Sequence, residues 1–438
     1  MRRRVILAAL AVVVGLPGTG VKPAAAQISE SCNLLCLSAQ AREALNTGRY
    51  ADYLRLARQV ANRAPRHPGG IYAVARGHAL LGHQDSAIAS LSLLADIGGA
   101  QDIESDAAFA SLRTLPAFVA LRERFSQNGS SIVTGKTAFS VPDPDFLPEA
   151  LTWDGARDRW LIGSLAKRKV SLRGAGGMWS DFIAGRGDVL RVVGIHADSV
   201  RSLLWFATWE PAGQPTTQSA RTRLFKTDLV TGTVLRTYQP ATGATSHLLN
   251  DLAVASNGDV YVTDTHGGWI YRVTAAGDSL EVFLRTDPTR FSGANGITMT
   301  GDEQTLYVAF IEGVARIDIP GRNISYVWSP PGVSTAGIDG LYWYRGDLIA
   351  VQNARGLERV IRLELDDLGE RITGVEVIER SRDVLQVPTT GAILGSQFFY
   401  IANSQVDRLG NDNALRPVSI APAPLTMVRV VELTPSGK

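Results

Sequence analysis

Cysteine, histidine and methionine are scarce in this 438-residue chain, which holds 2, 6 and 4 of them. Two cysteines with no histidine nearby supply half of a tetrahedral shell, so a structural zinc centre lacks its ligands, and no His-Glu-x-x-His is present. A charge excess is missing too: 44 basic residues stand against 42 acidic ones. Four of the basic residues, Arg2, Arg3, Arg4 and Lys22, lie in a leader expected to be removed, which leaves 40 against 42. Such a balance provides no electrostatic footprint for nucleic acid or an anionic membrane, and neither is expected as a partner. Glycine and proline, at 43 and 20, follow no strict period, which excludes collagen, while 45% hydrophobic and 20% charged residues describe an ordinary folded chain. A Gly-x-Ser-x-Gly elbow is absent, so serine-hydrolase chemistry lacks its local signature. Thr134-Gly135-Lys136-Thr137 is a near miss for a phosphate loop, because Ser130 stands where the first glycine is required. Gly174-Ala175-Gly176-Gly177 precedes no helical pattern and reads as a turn.

The N-terminus has the layout of a secretory signal over residues 1–26: three arginines, the apolar run Val5 to Leu16, then Ala24-Ala25-Ala26 before Gln27. The expected location is periplasmic or secreted. No later stretch approaches the roughly 20 apolar residues of a membrane helix, so no transmembrane segment is expected in the mature chain. Export permits a bridge between Cys32 and Cys36, yet residues four apart on a helix have nearly parallel Cβ vectors, and a disulfide and two free thiols are equally compatible with this spacing.

From 27 to 128 the chain reads as helices. Apolar residues recur at three- and four-residue steps, as in Tyr53, Leu56, Ala57, Val60 and Ala61. Gly48, in Ala44-Leu45-Asn46-Thr47-Gly48, and Gly82, in His78-Ala79-Leu80-Leu81-Gly82, are 34 residues apart, the tetratricopeptide period. Two tetratricopeptide-like hairpins are expected, with Phe109 to Phe125 as a degenerate third repeat or a cap. So short an array should pack on its neighbour, and it serves either as a stabilising cap or as a docking site for a protein partner. Residues 129–140 read as a linker.

From 141 to 436 the periodicity changes to short alternating runs. Six of them look alike: Trp160 to Ser164, Leu204 to Thr208, Val260 to Asp264, Leu306 to Phe310, Leu348 to Gln352 and Phe399 to Asn403. The second residues of these runs are 44, 56, 46, 42 and 51 residues apart, the span of a four-stranded blade. The expected fold is an all-β, six-bladed β-propeller preceded by a small all-α domain.

Ten to twelve residues before the second position of four of these runs stand Glu149, Asn250, Asn295 and Asp339. Equivalent blade positions form a ring about the propeller axis, so these four should converge. Two amides and two carboxylates are hard oxygen donors, suited to Ca²⁺, Mg²⁺ or Mn²⁺. Pro148-Glu149, Asn250-Asp251, Gly293-Ala294-Asn295-Gly296-Ile297 with Asp302 and Leu306-Tyr307-Val308, and Ile338-Asp339-Gly340 resemble the blade motifs of the senescence-marker, gluconolactonase and luciferin-regenerating family, the regucalcin-like propellers. The resemblance covers Val141 to Glu432. It implies one divalent cation, Ca²⁺ foremost, with Mg²⁺, Mn²⁺ or Zn²⁺ as alternatives, held by Glu149, Asn295 and Asp339 with Asn250 as fourth contact. It further implies hydrolysis of a lactone or related ester, with Asp339 as candidate base. Sugar lactonases of that family often have an arginine two residues before the Asn of the Asn-Asp motif; Leu248 stands there, which points to a less polar substrate.

His196 and His247 are placed by their spacing where they could face the channel and touch substrate, or serve as hydrogen-bonded structural residues. The competing reading of the whole chain is a non-catalytic propeller that binds a protein or envelope ligand.

Overall fold

The computed structural model describes residues 32, 34–212, 221–241, 246–287, 291–410, 412–417 and 424–434. The leader expected over 1–26 lies outside them. Among the described residues no helix is long and apolar enough to cross a membrane.

Five α-helices open the chain: α1 (Leu34–Asn46), α2 (Tyr50–Arg63), α3 (Pro68–Leu80), α4 (Gln84–Asp96) and, after a short 3₁₀ turn, α5 (Pro116–Asn128). The apolar stripe read from the sequence is the buried one: Tyr53, Leu56, Ala57 and Val60 of α2 are all inside. Gly48 and Gly82 end α1 and α3 with φ of 71° and 75°. A Cβ at either would meet nothing within 4 Å, so these glycines answer the left-handed backbone of the turns and not crowding between helices. The close approach lies at Gly77, where a Cβ would sit 3.0 Å from that of Leu54. Cys32 and Cys36 form a disulfide, which settles the alternative the spacing left open.

The rest of the chain is a six-bladed propeller of four-stranded antiparallel sheets. Each of the six look-alike runs supplies the second strand of a blade. That position is sandwiched between blades on both faces, so the strands Thr305–Phe310 and Asp347–Gln352 are buried at every residue. Burying each Val, Leu or Ile there contributes roughly 1.5–3 kcal/mol, and runs buried on both faces read as continuous apolar stretches.

Part of the expected linker belongs to the propeller. Lys136–Ser140 pairs antiparallel with the last strand, Met427–Glu432, and forms the outer strand of the sixth blade. First and last strands therefore close the ring by hydrogen bonds and leave no open edge between blades six and one. Phe139 anchors that closure, its ring centroid 5.7 Å from Trp160 of blade one, which in turn lies 4.8 Å from Phe399 of blade six.

The helical region packs on the loops of blades four to six. Arg66 Nη1 donates to Ser329 O at 2.7 Å, Ser334 Oγ donates to Arg66 O at 2.7 Å, and Ala100 N donates to Gly356 O at 3.0 Å. Those loops lie at the end of the ring where the innermost strands begin, the end that carries the candidate site.

Candidate functional site

The innermost strands are Pro148–Asp154, Arg191–Asp198, Leu249–Val254, Ile297–Met299, Ile338–Tyr344 and Gly391–Leu394. In four of them the pairing with the second strand slips at the same height: Pro148/Ala150, Val192/Gly194, Leu249/Leu252 and Ile338/Leu341. Glu149, Asn250, Asp251 and Asp339 sit within these irregularities. A residue left out of the ladder is free to turn its side chain away from the blade, and here that direction is the channel. The backbones also crowd there: an added Cβ at Gly296 would collide with the carbonyl of Asp339, and one at Gly194 with that of Asn250.

Three carboxylates converge here, Asp339 buried and Glu149 and Asp251 half-buried. Glu149 is pushed well above its ordinary pKa, first by burial and then by the charges of Asp339 and Asp251. Asp251 is pushed up to about 7 by burial, with Asp339 adding to the rise and the N–H groups of Leu252 and Ile297 opposing it. Asp339 is pushed up to about 6 by burial, opposed by two amides. Those amides are Asn295 Nδ2, donating to Oδ1 at 2.6 Å, and Asn353 Nδ2, donating to Oδ2 at 2.6 Å. No lysine or arginine is among the groups that set these three ionisations. Oε2 of Glu149 is buried and has no hydrogen-bond partner among the described residues.

Each residue nominated from the sequence has a definite place. Asn295 is joined to Asp339, and both share the ring with Glu149. Asn250 turns its amide to Thr265 Oγ1 at 3.0 Å, leaving Asp251 to contribute the third carboxylate. His196 lines the channel below the ring, where burial lowers its pKa and keeps the imidazole neutral. His247 is drawn aside, its Nδ1 donating to the buried Asp264 Oδ2 at 2.6 Å while its ring packs near Trp269 and Tyr271. A structural role accounts for that geometry.

The sequence reading passed over Asp251, Asn353 and Tyr342. Asp251 was visible in the Asn-Asp pair. Asn353 follows the second-strand run of blade five by one residue, as Thr265 follows that of blade three, and both reach back to an inner-strand side chain. Tyr342 accepts the N–H of Gly391 at 2.5 Å, is hydrogen-bonded to the Thr390 side chain, and feels the charges of Asp251 and Asp339.

A divalent cation fits the donor chemistry: oxygen ligands only, uncompensated negative charge, and an orphaned carboxylate oxygen. The ring is not a shell of acids and imidazoles, since among the described residues no group of three or more His, Cys, Asp or Glu could hold a metal by itself. Any ligand set would therefore need a neutral oxygen donor, such as the amide of Asn295, beside the carboxylates. Below the ring the channel widens to a cavity of about 400 Å³, bounded among others by Leu151, Ile195, His196, Asp251, Tyr342 and Thr390.

No family model and no curated protein sequence matches the chain. Several solved structures resemble it. A putative oxidoreductase (glucose dehydrogenase) of Thermus thermophilus is 14% identical with a TM-score of 0.48, covering 69% of this chain and 100% of its own. A gluconolactonase of Xanthomonas campestris is 13% identical with a TM-score of 0.45, covering 70% and 98%. A virginiamycin B lyase of Staphylococcus aureus is 15% identical with a TM-score of 0.45, covering 67% and 83%. Likeness at this level leaves the function to be argued from the channel itself.

Proposed function

We propose that this protein is an exported, divalent-metal-dependent hydrolase of lactones or related esters. The observation that carries this reading is the convergence of Glu149, Asp251 and Asp339 on the channel with no basic partner, one buried oxygen of Glu149 having no partner among the described residues. Glu149, Asn295 and Asp339 would hold the cation, Ca²⁺ before Mg²⁺, Mn²⁺ or Zn²⁺, with Asn250 and Asp251 beside it. When bound, the cation supplies Lewis acidity toward a substrate carbonyl.

The remaining roles belong to the chain. Asp339, with both oxygens engaged by amides, is best suited to stay ionised as a ligand. Asp251 accepts the N–H of Leu252 at 2.9 Å through Oδ1 but that of Ile297 only at 3.4 Å through Oδ2. Its Oδ2, on a group poised near neutral pH, is the better proton acceptor for an attacking water. The Tyr342 hydroxyl is placed to donate to the oxygen on which negative charge develops. Leu248, where sugar lactonases of the resembled family often have an arginine, offers no polar group to a substrate hydroxyl, and the cavity below is bordered by Leu151 and Ile195, which favours a substrate with an apolar body.

Export is supported by the leader pattern and by the Cys32–Cys36 disulfide, which an oxidising compartment maintains. The tetratricopeptide reading is supported by the 34-residue spacing of Gly48 and Gly82 and by their like turns, and it keeps a protein partner open for α1–α4.

A panel of aliphatic and sugar lactones and aryl esters, assayed with added Ca²⁺, Mn²⁺ or Zn²⁺ and with chelator, tests the proposal. Turnover of at least one lactone that chelator abolishes and one cation restores is expected, with apolar lactones preferred. Chelator-insensitive turnover, or none across the panel, would favour a binding propeller.

A further inference from the structure

Arg359 is a buried arginine without an acid. It is 6% exposed, and its one hydrogen bond among the described residues runs from Nε to Gln352 Oε1 at 2.7 Å. The two terminal nitrogens make no hydrogen bond among the described residues and are not fully enclosed, so they open onto the space beside them. A buried guanidinium ordinarily has a carboxylate beside it, because desolvating the charge alone costs several kcal/mol. Arg380 nearby makes matters worse by repulsion, and its own side chain is tied to Ser130.

The unpaired end borders a void of about 20 Å³ where the helical region meets blade five, walled by Gly98, Gly129, Glu358, Arg380 and Arg382. A Cβ on Gly98 would lie 3.3 Å from Arg359 Nη1, and one on Gly129 3.5 Å from Arg382 Cζ, so two guanidinium groups face the helical region at close range. The volume exceeds the 10–15 Å³ or so needed for one water and suits a single small anionic group. The acid in the wall, Glu358, is engaged by the N–H of Gly356 at 2.9 Å.

This void adjoins a much larger cleft of about 1040 Å³ between the helices and the propeller, sharing Ala100, Gly356, Glu358 and Arg382 with it. The cleft also presents Tyr53, Tyr72, Leu385, Arg42 and Arg355. Its other acids are occupied within the fold: Asp106 accepts from Tyr72 Oη at 2.6 Å and from Ala108 N at 2.9 Å, and Asp102 accepts from Glu104 N at 3.1 Å. The side chains of Arg42, Arg355 and Arg382 make no hydrogen bond or close ion pair among the described residues, and the acidic charge of Glu358 reaches Arg382 and Arg355 only at longer range. The geometry points to a binding site for a small organic carboxylate, its anionic group against Arg359 and Arg382 and its apolar body in the cleft against the two tyrosines. This site is separate from the channel ring and does not depend on the hydrolase reading. A ligand there would bridge the helical region and the propeller.

The test is a thermal-shift titration of the mature chain at fixed ionic strength with sodium chloride, acetate and phenylacetate, repeated on Arg359→Met and Arg382→Gln. Saturable stabilisation is expected with acetate, and at least about tenfold tighter binding with phenylacetate because more apolar surface is buried. Arg359→Met should lose the response while keeping, without added anion, a melting temperature equal to or above that of the unaltered chain; Arg382→Gln should weaken binding with the fold intact. A chloride response as large as that of both carboxylates would overturn the carboxylate assignment. So would an unaltered chain indifferent to all three salts.

Discussion

Replacing Glu149 by Gln or Asp339 by Asn is expected to lower kcat/KM toward a responsive lactone by at least about 10³-fold, equivalent to roughly 4 kcal/mol of barrier. Each change keeps the volume and removes one negative charge from the ring. Asp339→Asn also turns an acceptor of two amides into a group that itself presents N–H donors to them, so the bonds from Asn295 and Asn353 cannot both survive. Asp251→Asn is expected to act differently. The cation should still bind, while kcat falls and the acidic limb of the pH profile near pH 7 disappears, because that limb belongs to Asp251. Kinetics of the three variants across pH 5 to 9, with circular dichroism to verify folding, check the assignment. Folded Glu149→Gln and Asp339→Asn proteins with unaltered kcat/KM would remove the ring from the chemistry.

Without a cation, the chain is expected to lose stability as pH rises from about 4 to about 7. Folding raises the carboxyl pKa values, so across that window the folded state holds protons that the unfolded state has released, and stability falls with increasing pH. For Asp251 the rise from 3.8 to about 7 corresponds to roughly 4 kcal/mol. The loss begins near the unfolded value and is complete once pH exceeds the folded one. A cation that binds only the folded, deprotonated ring reverses the effect above pH 7, by about 2.7 kcal/mol at 100 times its dissociation constant, and competes with protons as pH falls through the folded values of about 7 and about 6. Calorimetry in chelator at pH 5.5 and 8.0 should therefore give a melting temperature several degrees lower at pH 8.0. Added Ca²⁺ should restore it at pH 8.0 and do little at pH 5.5. In Asp251→Asn the pH step should shrink. Identical melting temperatures at both pH values, with and without Ca²⁺, would mean that the three carboxylates do not share a common charge problem.

The propeller was legible because a blade's second strand is buried on both faces, and that burial writes a run such as Leu306-Tyr307-Val308-Ala309-Phe310 into every blade. The placement of Glu149, Asn295 and Asp339 at or just before the start of the innermost strands was legible from their similar distance, ten to twelve residues, ahead of those runs. The closing strand Lys136–Ser140 was not, because its partner Met427–Glu432 lies 290 residues away at Thr137 and Met427, and its exposed face looks like linker. Asp251 was seen only as the neighbour of Asn250: a pairing slip between Leu249 and Leu252 decides which of the two turns inward, and no local pattern announces a slip. His247 shows the reverse case. Spacing brings it to the mouth, but the buried Asp264 two strands deep captures its ring. The anion-ready Arg359 was invisible in sequence, since its lack of an acid appears only when the helices are seated on blade five.

Metal content of the purified chain, measured by mass spectrometry after dialysis against low-micromolar Ca²⁺ and compared with Glu149→Gln, bears most directly on the shared ring. One divalent ion per unaltered chain, and markedly less in the variant, is the predicted result. Equal metal in the two proteins, or none in either, would contradict it.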